Sequence, residues 1–456
     1  MLNFICTQKK REENRKMKFS FKKTASAVLA SVVLASSLAC AAVAAEPEKD
    51  YTVINPYETV DWATYDTYKA NLHTHTSASD GTPTLSEMVE EYYKHGYDIL
   101  AITDHGVINT GWRDERKTNG IFNGFRKVTP MSEEQYQRIT TGADRGGRGM
   151  IDITGGVECN MAVISKTHVN GYFTTYGQGV WGYENDYKTA TQRIEKAGGF
   201  SVLNHVGDWV NSNNFPERSH KAMYISYFAD IFTSAKSCLG MEIINNTDNV
   251  TRSDRALWDE LLKVVIPTGR NIWAFADDDS EQLNEVGRSF ELFPLAENTE
   301  ENVKNAMENG SFFAASRYRK AEKNSGEEDF EGNGNVPVVT DIKVDQTENT
   351  ISVTVDKDKT PCDQIRWIAN GKIISTDYTI DLNDYEDDIG CYVRFELQGE
   401  GGVTYSQAFE VQYDGRVDEP IPEAKLERAL MAGCHTRAMA ILAFLIEKIA
   451  HLFGII

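Results

Sequence analysis

Two histidines one residue apart, His73-Thr74-His75, close a short apolar approach from Tyr68 to Leu72. Alternate residues of an extended strand project to the same side. A strand ending there presents two imidazoles to one point. Asp80-Gly81 follows, and then Thr84 with Glu87 three residues later, the pattern of a capping box opening a helix through about His95. Ile99 to Thr103 reads as a second short strand, with Asp104-His105-Gly106 at its C-terminal end. Histidines and acids repeated at strand ends are what a metal site at the mouth of a β/α fold requires.

The pattern continues down the chain. Ile151 to Glu158 is a strand with a terminal acid, and His168 to Thr174 is another extended segment. A helix over Thr189 to Ala197 stops at Gly198-Gly199 and leads to Phe200–Asn204 and then His205. Gly240 to Asn245 is a strand, Ser253 to Val265 a helix, and Asn271 to Phe275 a strand running into Asp277-Asp278-Asp279. Ser289 to Leu292 adds one more strand, and a helix over Thr299 to Glu308 is closed by Asn309-Gly310. Roughly seven strand candidates separated by helices or long loops favour a closed barrel of parallel strands over an open sheet. The residues at strand ends are His73, His75, Asp80, His105, Glu158, His168, His205 and Asp279, and they include five of the nine histidines in the chain. So many in one set argues against isolated structural histidines. Imidazole with carboxylate suits Zn, Mn or Fe, and there are donors for more than one ion.

Outside this region the composition changes. Lys9 to Lys23 is basic, Thr24 to Ala45 is small and apolar, and Val43-Ala44-Ala45 precedes Glu46-Pro47, as in an export signal spanning 1–45. The expected location is therefore extracellular, periplasmic or at the cell surface. Met17 offers a second start, and Ser37 stands where a lipoprotein signal ending at Cys40 wants leucine. Residues 46–66 read as a connector and 67–319 as the α/β domain. A polar insertion, Val107 to Gly149, reads as a lid or substrate loop. An acidic, glycine-rich linker occupies 320–340. Short alternating runs over 341–413, with Asn370-Gly371 as a turn, read as a small immunoglobulin-like β-sandwich. Cys362 and Cys391 there are available to pair. Cys159 reads as a small buried residue. A linker and an apolar helix fill 414–456. Glu447, Lys448 and His451 interrupt the helix, so it is read as lying on a membrane surface or docking on the body of the protein. The formal charge of -21 makes nucleic acid a poor partner.

Residues Asn71 to Gly106, with HTHxxxSDG and ITDHG, resemble the first two motifs of the PHP family, the polymerase and histidinol phosphatase domain, in its phosphoesterase-like branch. The likeness continues through Gly156-Val157-Glu158, His168, Asn204-His205 and FADDDSEQLNEVGRSF to GSFFAAS, covering about Tyr68 to Tyr318. It implies a distorted seven-stranded, TIM-like (β/α) barrel and up to three metals. His73, His75, Glu158 and Asp279 would hold the first. Glu158 would bridge to a second held by His168 and His205. Asp80 and His105 would start a third, whose last ligand in the family is a histidine two residues after the aspartate; here that place is Glu281. Asp279 is preferred within the aspartate run because it gives Glu281 this spacing. A carboxylate there favours a harder ion such as Mn or Mg. The implied chemistry is hydrolysis of a small phosphate ester by metal-activated water, with His73, His75, Glu158, His205 and Asp279 as the catalytic set. Arg145 and Arg148, with Arg113 and Arg116, are the candidate phosphate contacts, and Asp104 a candidate support for a histidine. An amidohydrolase-like use of the same scaffold and a catalytically weak surface binding protein are the alternatives.

Overall fold

The computed structural model describes residues 49–117, 127–160, 166–179 and 186–426, together with Leu445 and Ile449. The export signal expected over 1–45 lies outside the described residues. So does the C-terminal helix, except for Lys425, Leu426, Leu445 and Ile449. Among the described residues no helix is long and apolar enough to cross a membrane.

The chain starts with β1 (Thr52–Ile54), β2 (Asp66–Asn71), α1 (Leu85–Lys94) and β3 (Ile99–Leu100). The insertion holds β4 (Arg116–Lys117), β5 (Lys127–Val128) and α2 (Glu133–Thr141). Next come β6 (Ile151–Asp152), β7 (Val157–Cys159), β8 (Val169–Tyr172), α3 (Tyr187–Lys196) and β9 (Phe200–Leu203). Then follow α4 (Val206–Val210), α5 (Ala222–Ser234), β10 (Cys238–Asn245), α6 (Asp254–Val265) and β11 (Trp273–Asp277). β12 (Ser289–Leu295), α7 (Glu300–Asn309) and β13 (Phe313–Ser316) end the α/β part. β14 (Tyr318–Arg319) and β15 (Phe330–Glu331) pair across the acidic linker. The remainder is β16 (Val339–Asp345), β17 (Thr350–Val355), β18 (Gln364–Ala369), β19 (Lys372–Ser375), β20 (Thr379–Asp381), β21 (Tyr392–Gly399), β22 (Gly402–Tyr405) and β23 (Phe409–Gln412).

Local chemistry sets several of these boundaries. The Thr84 hydroxyl accepts from the Glu87 amide while Glu87 takes the Thr84 amide, so both orphan donors at the start of α1 are satisfied. Leu85, Met88, Val89, Tyr92 and Tyr93 are its buried stripe. Thr299 caps α7, and Gly310 at φ 73 ends it in the left-handed region. Asn370 and Gly371, at φ 50 and 72, make the two-residue turn between β18 and β19.

The expected closed barrel does not form. The strands divide into an open sheet ordered β11-β10-β9-β8-β7 and a second containing β13-β12-β2-β3-β6. Pairing is mixed: β9, β10 and β11 are parallel neighbours, whereas β7, β8 and β9 pair antiparallel, as does β2 with β12. Where a closing ladder would run, the described residues show isolated pairings, Thr74 with Ser280, His105 with Glu158 and Asn109 with Gly156. The backbone turns away at those strand ends to aim donor side chains, and Asp279 sits at φ 47. A core containing Ala70, Leu72, Ile99, Tyr172, Val202, Phe275, Phe293 and Phe312 draws from both sheets.

The β-rich part is not a separate sandwich. The sheet β16-β17-β20 forms one layer, but the other continues through β22 into β13 of the α/β part. The presumed connector contributes β1, which pairs with β23. Cys362 and Cys391 are free: the first lies against the carbonyls of Gln364 and Gln398, the second against those of Leu262 and Lys263. Cys159 is buried.

Candidate metal centre

The end of β2 presents His73 and His75 with their Nε2 atoms 3.1 Å apart. Asp279 Oδ1 lies 3.1 Å from each of these nitrogens, and Glu158 Oε2 lies 3.2 and 3.1 Å from them. Five of the six separations among these four donor atoms are thus 3.1–3.2 Å, and all four lie within 4.8 Å of one another. A point equidistant from the corners of a triangle with 3.1 Å edges is about 1.8 Å or more from each, so these donors can close on one ion at the roughly 2.0–2.2 Å of zinc bonds to nitrogen and oxygen. The donor set fits a divalent cation.

Glu158 extends the cluster from the end of β7. Its Oε1 is 3.0 Å from His168 Nδ1 and 3.6 Å from His205 Nε2, and it accepts a 2.7 Å bond from the Asn204 amide. Its Oε2 is also 3.3 Å from His105 Nδ1. Asp80 reaches His105 Nε2 at 3.3 Å and His75 Nδ1 at 3.4 Å. Three donor groups result: His73, His75, Glu158 and Asp279; His75, Asp80 and His105; and His105, Glu158 and His168. His205 stands beside the last, at φ 27.

The protonation states also fit a cation. Burial alone would lower the pKa of His73, yet Asp279, Glu158 and Glu242 hold it well above its ordinary value. His75 is raised in the same way by Asp279, Glu158 and Asp80. His205, also against its burial, is raised to about 9 by Glu158, Glu242 and Asp279. Burial alone would raise Glu158, but His105, His168 and His73 hold it well below the carboxylate range. For His168 burial prevails and its pKa falls. Protons on these imidazoles supply the positive charge that a metal would otherwise bring.

The three consecutive aspartates have separate tasks. Asp277 accepts the Leu72 amide at 2.6 Å beneath the centre. Asp278 accepts the amides of Gly287, Arg288 and Ser289 and the Tyr97 hydroxyl, fixing the following loop. Asp279 alone faces the imidazoles. Asp104 accepts from the Thr76 amide and hydroxyl and from Ser79, so it braces the turn carrying Asp80 rather than a histidine ring.

A cleft of about 360 Å³ opens over the cluster, lined by Asp80, His105, Glu158, His168, His205 and Asp279 among others. Glu281 lines it too, but its carboxylate is not one of the three close donor groups. Arg145 and Arg148 are engaged with another partner, and neither is among the residues lining this cleft. Both bind the buried Asp98, Arg148 through Nε and Nη2 at 2.8 Å and Arg145 through Nη2 at 3.0 Å. Arg113 pairs with Glu133, and Arg116 is buried near Asp104 and Asp152. A larger cleft of about 790 Å³, bordered by Asn109, Phe173 and Lys304, contains none of these donors.

Glu242 and Asn245 are the residues of the centre that the sequence reading missed, and Asn204 was named only as part of the Asn204-His205 motif. Glu242 is fully buried on β10, with Oε1 2.6 Å from His73 Nδ1. That contact leaves His73 Nε2 to face the cluster, the arrangement by which carboxylates orient metal-binding histidines. Its signal was a single acid inside the otherwise apolar run Gly240-Met241-Glu242-Ile243-Ile244.

Residues 71–272 match the family model of the PHP domain. The chain carries a PHP domain. No curated protein matches the sequence. Among solved structures, the PHP chain is similar to a two-domain protein from Bacteroides vulgatus containing a predicted PHP-like metal-dependent phosphoesterase. Identity is 15%, with 84% of this chain and 98% of the other covered and a TM-score of 0.39. A lesion-specific endonuclease from Pyrococcus furiosus is 13% identical over 53% of this chain and 56% of its own, with a TM-score of 0.32. An amidohydrolase from Chromobacterium violaceum is 14% identical over 47% of this chain and 87% of its own, with a TM-score of 0.28. PHP-domain homology and the donor clusters together make this chain a metal-dependent hydrolase.

Proposed function

We propose that this PHP protein is a phosphoesterase that hydrolyses a small phosphate ester. The observation that carries the reading is the set of four donor atoms in which the Nε2 atoms of His73 and His75 lie 3.1 Å apart and each within 3.1–3.2 Å of Glu158 and Asp279 oxygens, with Glu158 reaching on to His105 and His168. Divalent cations bound there, with Mn, Zn or Fe the best fit and Mg at the hard end of the range, supply Lewis acidity that acidifies water and draws in phosphoryl oxygens.

The chain's own residues do the positioning. Glu158 spans neighbouring donor groups, Asn204 fixes its Oε1, and Glu242 fixes the His73 ring. Asp80, Asp208, Asp279, Glu281 and Glu285 make the metal-free cleft repel an anionic ester, and no lysine or arginine is among its described lining residues. Loading with cations reverses that field.

The test pairs metal content of the purified full chain with hydrolysis of an aryl phosphate after loading with Mn or Zn, using His75→Ala as control. Two or more bound ions, with turnover abolished in the variant, support the proposal. Bound ions without phosphate release would direct the search to another ester or amide, and failure to bind metal at all would remove its basis.

A further inference from the structure

One buried carboxylate touches both halves of the centre. Glu242 Oε1 accepts from His73 Nδ1–H, with the two atoms 2.6 Å apart, while Oε2 accepts the His205 backbone amide at 2.7 Å. Oε2 also accepts from Asn245 Nδ2 at 3.1 Å, and the same amide group reaches Asp279 Oδ2 at 3.1 Å. His73 and Asp279 belong to the four-donor group, whereas His205 stands by Glu158 on the side of His168. These contacts join His205 to His73, 132 residues earlier in the chain, and to Asp279, 74 residues later.

We infer that Glu242 is a positioning residue that couples the two metal subsites, so that loading one prepares the other. The inference rests on the metal-binding reading of the cluster and adds a regulation to it. With a cation held by the four-donor group, the His73 ring would donate more strongly from Nδ1–H to Glu242. That bond holds the carboxylate in the orientation in which Oε2 keeps the His205 amide and its unusual φ of 27. Asn245 adds a second path, through Asp279. With an amide in place of the carboxylate, only one oxygen remains for three donors, those of His73, His205 and Asn245, and the NH2 group opposes whichever is left. Either the His73 tautomer or the His205 backbone then loses its partner.

The probe is zinc alone, titrated into the metal-free full chain and into Glu242→Gln, with affinity and stoichiometry from calorimetry and elemental analysis. A histidine-selective NMR spectrum reports the His73 Nδ1–H resonance. In the wild type the two subsites should fill together, and in the variant both affinities should fall by about 10- to 100-fold, with the downfield His73 signal lost and the metal-free fold retained. Wild-type affinity in the variant, or weakening of one subsite alone, overturns the coupling while leaving the metal site intact. Absence of zinc binding in the wild type overturns the metal reading itself. Should Glu242→Gln fail to fold, the His73 ring and His205 amide resonances of the wild type decide. Movement of both with the first zinc equivalent supports the inference, and movement in separate steps overturns it.

Discussion

Arg394 Nε and Nη2 each lie 2.8 Å from an oxygen of Asp259, with both residues buried. Asp259 belongs to α6 of the PHP domain and Arg394 to β21 of the β-rich part, so this bidentate pair crosses between them. Tyr392 donates to the same carboxylate, Glu396 takes the remaining guanidinium edge, and Trp258 lies under the charge. Removing Asp259 leaves the buried Arg394 with Glu396 alone and takes the partner from the Tyr392 hydroxyl. Asp259→Ala should cost roughly 3–5 kcal/mol of unfolding free energy, whereas Asp259→Leu combined with Arg394→Met should recover most of it. Denaturant titration measures both, and a loss below about 1 kcal/mol for Asp259→Ala would show that the pair is not an anchor.

Metal binding should release protons and strengthen with rising pH. His205 has its folded pKa raised to about 9, above the unfolded value near 6.5. In the metal-free protein its contribution to stability is complete below about pH 6.5 and is lost as pH rises through about 9. Glu158 is shifted the other way, so its contribution is present above the ordinary carboxylate range and lost in acid. Metal-free protein should therefore lose thermal stability between about pH 6.5 and 9, while zinc affinity rises over the same window. Calorimetry at pH 7 in two buffers of different ionisation enthalpy gives the proton count, and a count of zero would contradict the assignment.

The ligand set was legible because metal chemistry needs particular side chains, and these stand at the ends of short apolar runs. His73, His75 and His105 could be placed from strand spacing, and Thr84 with Glu87 from capping chemistry. The barrel was not legible: sheet closure depends on whether ladders continue past the strand ends, and here Thr74–Ser280 and His105–Glu158 are isolated pairings. Helix α5 escaped notice because Lys221 makes no side-chain cap and its face is nearly all apolar. The partner of the arginines was not legible, because sequence shows their charge but not what it meets. Asp98, some fifty residues away, claims two of them.

Loss of Arg148 should therefore affect stability rather than substrate binding. Its Nε and Nη2 clamp Asp98, and Nη2 also reaches the Thr67 carbonyl at 2.7 Å, tying the insertion to the starts of β2 and β3. The half-exposed side chain limits the effect, so Arg148→Ala should cost about 1–2 kcal/mol. KM for an aryl phosphate should stay unchanged. A KM increase beyond about threefold at unchanged stability would identify Arg148 as a substrate contact.

Glu281 should set which ion the outer part of the cleft accepts. Its amide donates to Glu285 and its carbonyl accepts from Thr82, so the backbone is fixed while the exposed side chain faces the cleft. Burial of the carboxyl, together with Asp80 and Asp279, raises its pKa, a sign of negative charge crowded without a cation. Glu281→His replaces that carboxylate with a neutral nitrogen donor, removing repulsion against Asp80 and suiting a borderline ion better than a hard one. Zinc held with Asp80 and His105 should tighten by about tenfold or more, with manganese moving less. Equilibrium dialysis followed by elemental analysis provides the comparison. Unchanged affinity for both ions would show that position 281 lines the cleft without acting as a donor.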